Sequence, residues 1–110
     1  NDMAALGAAL GMAYVGRRSL VSLTQAGLNL AADTLVNAAV TGVNGGLLLV
    51  VTDDVTMPAP RRAQDARNQA KFAHLPLFEP ATPQEAYDMA GAALAESQRQ
   101  AHDTCGQSCQ

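Results

Sequence analysis

The chain has 110 residues, which is enough for one domain of modest stability. Its net charge of −3, from 10 acidic and 7 basic residues, argues against nucleic acid as a partner. No segment approaches the roughly 18 consecutive apolar residues that cross a membrane. Its two cysteines, Cys105 and Cys109, form no disulfide framework. We therefore expect a globular cytoplasmic domain that binds neither nucleic acid nor a membrane.

The chain is predicted to open with a helix rich in small residues, from Met3 to Val15. Gly7 and Gly11 are four residues apart and share one face of this helix. Glycine disfavours a helix by about 1 kcal/mol relative to alanine, so we expect both glycines to permit close packing against a neighbour.

A strand, a helix and a second strand are predicted to follow. Ser19–Thr24 and Leu47–Val51 are apolar runs of strand length, which are typical of parallel strands covered on both faces. Between them, apolar residues from Leu28 to Val40 follow the helical period, and Gly42 is suited to end that helix. The segment is thus predicted to be a βαβ unit with a right-handed crossover.

The second half predicts a polar helix from about Ala63 to Ala73 and a short third strand from Leu75 to Glu79. Because Pro76 cannot donate a hydrogen bond, it should lie at the start of that strand or on an edge. The predicted fold class is α/β, a three-layer fold with a short, mostly parallel sheet of three or four strands flanked by helices.

The last helix has a clear start. Thr82, Pro83 and Glu85 have the spacing of a capping box with proline in the first turn. The apolar stripe fades near Arg99, so we predict an α/β domain over residues 1–100 and a disordered polar tail over 101–110.

Polar or glycine residues follow the predicted strands and could line a crevice at their ends, where open α/β sheets bind ligands. These residues are Asn29, Asp33, Asn44, Gly45, Asp53 and Asp54. The alternatives are structural: aspartates after a strand often bond to their own turn, and glycines often supply a positive φ. A helix face with Gln64, Asp65 and Arg67 could contact a partner domain or face solvent.

The tail contains His102, Cys105 and Cys109, whose side chains are possible zinc ligands. A fourth ligand is missing and the segment shows no apolar period. We therefore predict a flexible tail and no metal site.

A set of residues between Ala26 and Met89 resembles a known family in order and spacing. They are Gly27 to Asp33, Thr41 to Gly46, Asp53, Asp54, Met57, Gln64, Asp65, Arg67, Phe72, Ala73, Pro76, Glu79, Pro80 and Gln84 to Ala86. This segment resembles the pyrimidine-binding domain of thiamine-diphosphate-dependent 2-oxoacid:ferredoxin oxidoreductases, in particular the α subunit of the indolepyruvate enzymes.

The resemblance implies a thiamine diphosphate site between two domains, of which one holds the aminopyrimidine ring and the other holds the diphosphate and a divalent metal. The complete enzymes oxidatively decarboxylate aryl 2-oxoacids and pass electrons through iron–sulfur clusters to ferredoxin. The chain contains no cluster-type run of cysteines. By this resemblance the chain alone should be inactive and bind no Mg²⁺, and it should bind thiamine diphosphate only with a partner domain.

Asp2 occupies the position at which the family has a glutamate that bonds the pyrimidine ring. Aspartate is shorter by one methylene, or about 1.5 Å. The resemblance makes Asp2 the candidate catalytic residue, although it could equally favour the start of the first helix. A basic pair of the family that contains a histidine is replaced here by Thr24 and Gln25.

Three functions agree with these observations. The chain could be a fragment of a 2-oxoacid:ferredoxin oxidoreductase, or a small subunit that completes an active site together with a subunit carrying the diphosphate-binding domain. It could instead be a non-catalytic module that keeps the scaffold and self-associates as a homodimer, which would cover its first helix and its short sheet.

Overall fold

The computed structural model describes residues 1–52 and 65–108, with side chains as far as Ala101. The elements are α1 (Asp2–Tyr14), β1 (Ser19–Thr24), α2 (Gln25–Leu30), α3 (Ala32–Thr41), β2 (Leu47–Thr52), α4 (Ala66–Phe72) and α5 (Pro83–Ser108). Strands β1 and β2 pair in parallel, in a register that runs from Ser19 opposite Leu47 to Thr24 opposite Thr52. The predicted α/β class, with a short parallel sheet flanked by helices, is confirmed.

The core lies between β1 and the first three helices. Leu6 of α1 and Leu23 of β1 are its largest fully buried side chains. Leu28 and Leu35 add the apolar faces of α2 and α3, and Leu49 packs on them from β2. This shared core fixes the carboxyl end of β1 against the start of α1 and α2.

Two expectations about packing are wrong. Burial alternates along β1, so Val21 and Leu23 are buried while Leu20 is 56% exposed. Only one face of β1 is covered, because α5 packs mainly on β2. Gly7 and Gly11 are exposed, and a Cβ atom at either would have no heavy atom within 4 Å. The small-residue face of α1 is therefore open in the described part of the chain.

The predicted helix from Leu28 to Val40 is two helices. The first begins earlier, at Gln25, because the Thr24 hydroxyl accepts a hydrogen bond from the Gly27 amide at 3.2 Å and caps α2. Ala31 separates α2 from α3, and Gly42 ends α3 at a φ of 73° as predicted.

No strand forms at Leu75–Glu79, so among the described residues the sheet has two strands rather than three or four. Pro76 and Pro80 lack the N–H that a strand ladder requires. The segment is instead joined to α4 by an ion pair from Arg67 to Glu79, with an N–O distance of 3.3 Å.

Helix α5 begins as predicted but ends later. The Thr82 hydroxyl accepts from the Glu85 amide at 3.2 Å, and the Glu85 carboxylate accepts from the amide of Ala81, one residue before the usual capping-box donor. The helix then continues to Ser108. The predicted end near Arg99 is wrong, and the backbone of 101–108 is helical where a disordered tail was predicted, because each residue added to an existing helix gains a backbone hydrogen bond.

Candidate functional site

A carboxylate lies at the carboxyl end of β1. Asp2 is the first residue of α1, and its side chain rests on Gly27 in the first turn of α2. A Cβ atom at Gly27 would overlap the Asp2 side chain and lie 2.6 Å from its Oδ2, so a larger residue at this position would displace the carboxylate. Within the described residues, the Asp2 carboxylate forms no hydrogen bond. As far as the described residues go, it can accept one from a ligand at this edge.

Three amide side chains lie beside this edge. Gln25 and Asn29 are four residues apart and share one face of α2, and Gln69 of α4 donates a hydrogen bond from Nε2 to Asn29 Oδ1. Gln25 is only 7% exposed, and its Nε2 has no hydrogen-bond partner among the described residues. Within the same part of the chain, Gln69 Oε1 is also buried without a partner. The predicted candidate Asn29 is thus bonded to Gln69 and lies one helical turn from Gln25, which the sequence named only as a departure from the family.

Asp33 lies close to the same cluster. It is exposed in the first turn of α3, beside a cavity of about 410 Å³ between α3 and α4. Gln69 and Phe72 line this cavity from α4. The structure therefore brings Asn29 and Asp33 to one side of the molecule, although Asp33 itself makes no contact that assigns it a role.

Asn44 and Gly45 lie at the opposite end of the sheet. They precede β2, and Asn44 Nδ2 donates to the Tyr14 carbonyl at 2.8 Å while the Gly45 amide donates to the Ala13 carbonyl at 2.8 Å. Six residues of strand, at about 3.3 Å each, separate this loop from Asp2. The expectation that both residues line the crevice with Asn29 is wrong, since a loop that enters a strand lies at its amino end.

Several candidates lie outside what the structure describes. Asp53, Asp54 and Gln64 fall outside the described residues, as does Cys109. The side chains of His102 and Cys105 are likewise not described. Among the described side chains, no three histidine, cysteine, aspartate or glutamate residues are grouped as metal ligands.

Asp65 and Arg67 form an exposed ion pair at the start of α4. The Asp65 carboxylate accepts from the Arg67 amide at 2.9 Å and from its Nε at 2.8 Å. The hydrogen bond from the guanidinium lowers the pKa of Asp65 and raises the pKa of Arg67. Asp65 thereby caps α4 and helps to hold the helix that carries Gln69.

A larger groove, of about 820 Å³, lies between β2, α4, the 75–80 segment and α5. Leu49, Leu75 and Met89 contribute to its mainly apolar wall. None of the helices that the structure describes is both long and apolar enough to cross a lipid bilayer.

Comparison with known proteins gives one consistent result. The chain is 40% identical over 89 residues to indolepyruvate oxidoreductase subunit IorA of Pyrococcus horikoshii, a match that spans 81% of this chain and 14% of that subunit. The IorA subunits of Thermococcus kodakarensis and Archaeoglobus fulgidus are 37% and 39% identical over 93% and 82% of this chain, and over 16% and 14% of their own lengths. No family model and no solved structure matches the chain. The chain is thus similar to a short part of these oxidoreductase subunits.

Proposed function

We propose that the chain contributes the pyrimidine side of a thiamine diphosphate site in an indolepyruvate-oxidoreductase type of subunit. The observation that supports this most is the Asp2 carboxylate, which lies at the carboxyl end of β1 against Gly27 and forms no hydrogen bond within the described residues. The similarity to IorA subunits and the resemblance of Asp2 to the family's activating glutamate point to the same edge.

The described residues fit one end of this cofactor and not the other. Asp2 offers a free acceptor and Gln25 a free buried donor, as a ring that both donates and accepts hydrogen bonds requires. The described side chains hold no group of ligands for the metal that accompanies the diphosphate. When bound, the cofactor would supply the carbon that attacks the 2-oxoacid, and this chain's part would be to bind and orient the ring and to hold a proton at the Asp2 carboxylate.

The proposal requires a partner domain. Because the chain spans only 14% of the first relatives it matches, the diphosphate-binding domain and the redox clusters would lie in polypeptide outside these 110 residues. We propose that the chain alone is inactive and completes its site against a subunit or domain that carries the diphosphate-binding half.

The test is a hybrid subunit. The matching segment of the Pyrococcus horikoshii subunit would be replaced by this chain, and calorimetry with Mg²⁺ would measure thiamine diphosphate binding to the hybrid and to the chain alone. We expect the hybrid to bind and the chain alone to release no heat at millimolar cofactor. A folded hybrid that does not bind, while the unaltered subunit does, would contradict the proposal.

One observation favours a second function, a module that self-associates as a homodimer. Helix α1 is apolar on its inner face and also on its outer face, where Met3 and Met12 are each 49% exposed and flank the open glycines. A helix that is apolar all round is usually buried.

Self-association is tested by size-exclusion chromatography with light scattering. We expect a dimer for the unaltered chain and a monomer for Ala8→Glu, because a charge on the outer face of α1 would have to be desolvated in the dimer. Ala95→Glu, an exposed position on α5, is the matched control and should stay dimeric. A monomer at all concentrations for the unaltered chain rules this function out.

A further inference from the structure

The outer edge of β2 lacks hydrogen-bond partners. The Ser19 amide donates to the Gly46 carbonyl at 2.9 Å, and this bond sets the parallel ladder between β1 and β2. Every second residue of β2 therefore directs its backbone N–H and C=O at β1, while Leu47, Leu49 and Val51 direct theirs at the opposite edge. Among the described residues, the Leu49 and Val51 amides and the carbonyls of all three have no partner.

Helix α5 satisfies this edge only at its amino end. The Ser97 hydroxyl accepts from the Leu47 amide at 3.0 Å, and the Gln98 side-chain oxygen accepts from the Gly46 amide at 2.8 Å. From Leu47 to Val51 the strand then runs for about 13 Å along the larger groove, of about 820 Å³. The groove thus presents backbone donors and acceptors at the spacing of an extended peptide.

The composition of β2 is that of a covered edge. Native proteins protect an exposed strand edge with charged residues, proline or a bulge. Strand β2 has no charged residue and no proline, and it pairs with β1 without a bulge. Three apolar side chains that line the same groove are partly open, since Val50 is 39%, Leu77 49% and Phe78 43% exposed. The partner that fits this edge is therefore apolar as well as extended.

We propose that the outer edge of β2 pairs with one extended apolar strand, supplied by the part of an IorA-type subunit that lies outside these 110 residues. The inference rests on the proposed function for the source of the strand, because the chain spans only 14% of the first relatives it matches. A second copy of the chain does not fit. Strand β2 is recessed between α5 and the 75–80 segment in each copy, and two recessed edges cannot meet. A single extended segment can enter the groove and add a strand, as in other cases of β-augmentation.

The test is hydrogen exchange of single amides in the chain alone and in the hybrid subunit, read by mass spectrometry with electron-transfer fragmentation. In the chain alone, we expect the Leu49 and Val51 amides to exchange about 100-fold faster than those of Leu48 and Val50, which donate to β1. In the hybrid, all of these amides should exchange within about tenfold of one another. Leu49 and Val51 amides that stay fast in the hybrid would overturn the inference. Protection that develops in the chain alone as its concentration rises would also overturn it, in favour of a second copy.

A charge in the groove provides a second test. Ala90 lines the groove from α5, and a carboxylate there would have to be desolvated beneath an apolar strand. In the hybrid, Ala90→Glu should return the Leu49 and Val51 amides to fast exchange, whereas Ala92→Glu, at an exposed position of α5 outside the groove, should leave them protected. Protection that survives Ala90→Glu would contradict the inference. The unaltered hybrid decides the outcome if a variant fails to fold.

Thiamine diphosphate binding to the same hybrid separates this inference from the proposed function. If the Leu49 and Val51 amides are protected but the hybrid binds no cofactor, the inference stands and the proposed function fails. If the hybrid binds the cofactor while these amides exchange as fast as in the chain alone, the proposed function stands and the inference fails.

Discussion

Replacing Asp2 with glutamate in the hybrid subunit is expected to raise its rate of 2-oxoacid oxidation about 100-fold. The Asp2 carboxylate reaches Gly27 at the carboxyl end of β1 but is shorter than the family's glutamate by about 1.5 Å. A misplacement of about 1 Å costs on the order of 100-fold in rate when a catalytic group must meet a reacting ring. The added methylene should restore that reach, and initial rates at saturating cofactor measure it.

Two substitutions test whether the reach of a carboxylate is the cause. Asp2→Asn keeps the length but removes the charge and should reduce the rate below that of the unaltered hybrid, because an amide holds a proton poorly. Asp88→Glu adds the same methylene on the exposed face of α5, where Gln84 donates to Asp88, and should change nothing. Equal rates for the unaltered hybrid, Asp2→Glu and Asp2→Asn would show that Asp2 has no role in the reaction and serves only at the start of α1.

Local signals in the sequence predict the elements of the first half well. Strand β1 has its predicted bounds, and β2 extends one residue further than predicted. Both could be predicted because the signal, an apolar run bounded by glycine turns, lies in the segment's own residues. The start of α5 is equally local, since Thr82 and Glu85 satisfy amides within four residues. The burial of each strand face, in contrast, depends on elements far away in the sequence. Whether Leu20 is buried depends on which helix reaches β1, and the pattern of β1 alone could not show that α5 packs mainly on β2.

The site was predicted only in part for the same reason. Asp2 and Asn29 could be selected because a family resemblance and a strand end point to them. Gln25 and Gln69 look like ordinary polar residues until α4 folds against α2 and leaves their amides buried. Asn44 and Gly45 were assigned to the wrong end of the sheet, although chain direction was enough to place them: residues that enter a parallel strand and residues that leave it lie at opposite edges.

The loop at the other end of the sheet makes the second large prediction, which concerns stability. Gly45→Ala should lower the free energy of unfolding by about 2 to 3 kcal/mol. A Cβ atom at Gly45 would lie 2.4 Å from the Arg17 carbonyl oxygen and 2.7 Å from the Gly16 carbonyl carbon. Both are backbone atoms, which cannot rotate away as a side chain can. The loop also cannot retreat without breaking the 2.8 Å hydrogen bond from the Gly45 amide to Ala13.

Urea unfolding followed by circular dichroism measures this effect, and Gly91→Ala on α5 is its matched control. A Cβ atom at Gly91 meets nothing within 4 Å, and glycine costs about 1 kcal/mol in a helix relative to alanine, so this substitution should stabilise the chain. The same added methyl group is thus expected to lower the free energy of unfolding at Gly45 and to raise it at Gly91, because Gly45 faces backbone atoms and Gly91 faces open space. A Gly45→Ala variant as stable as the unaltered chain would mean that the α1–β1 turn can move away from the loop that leads into β2.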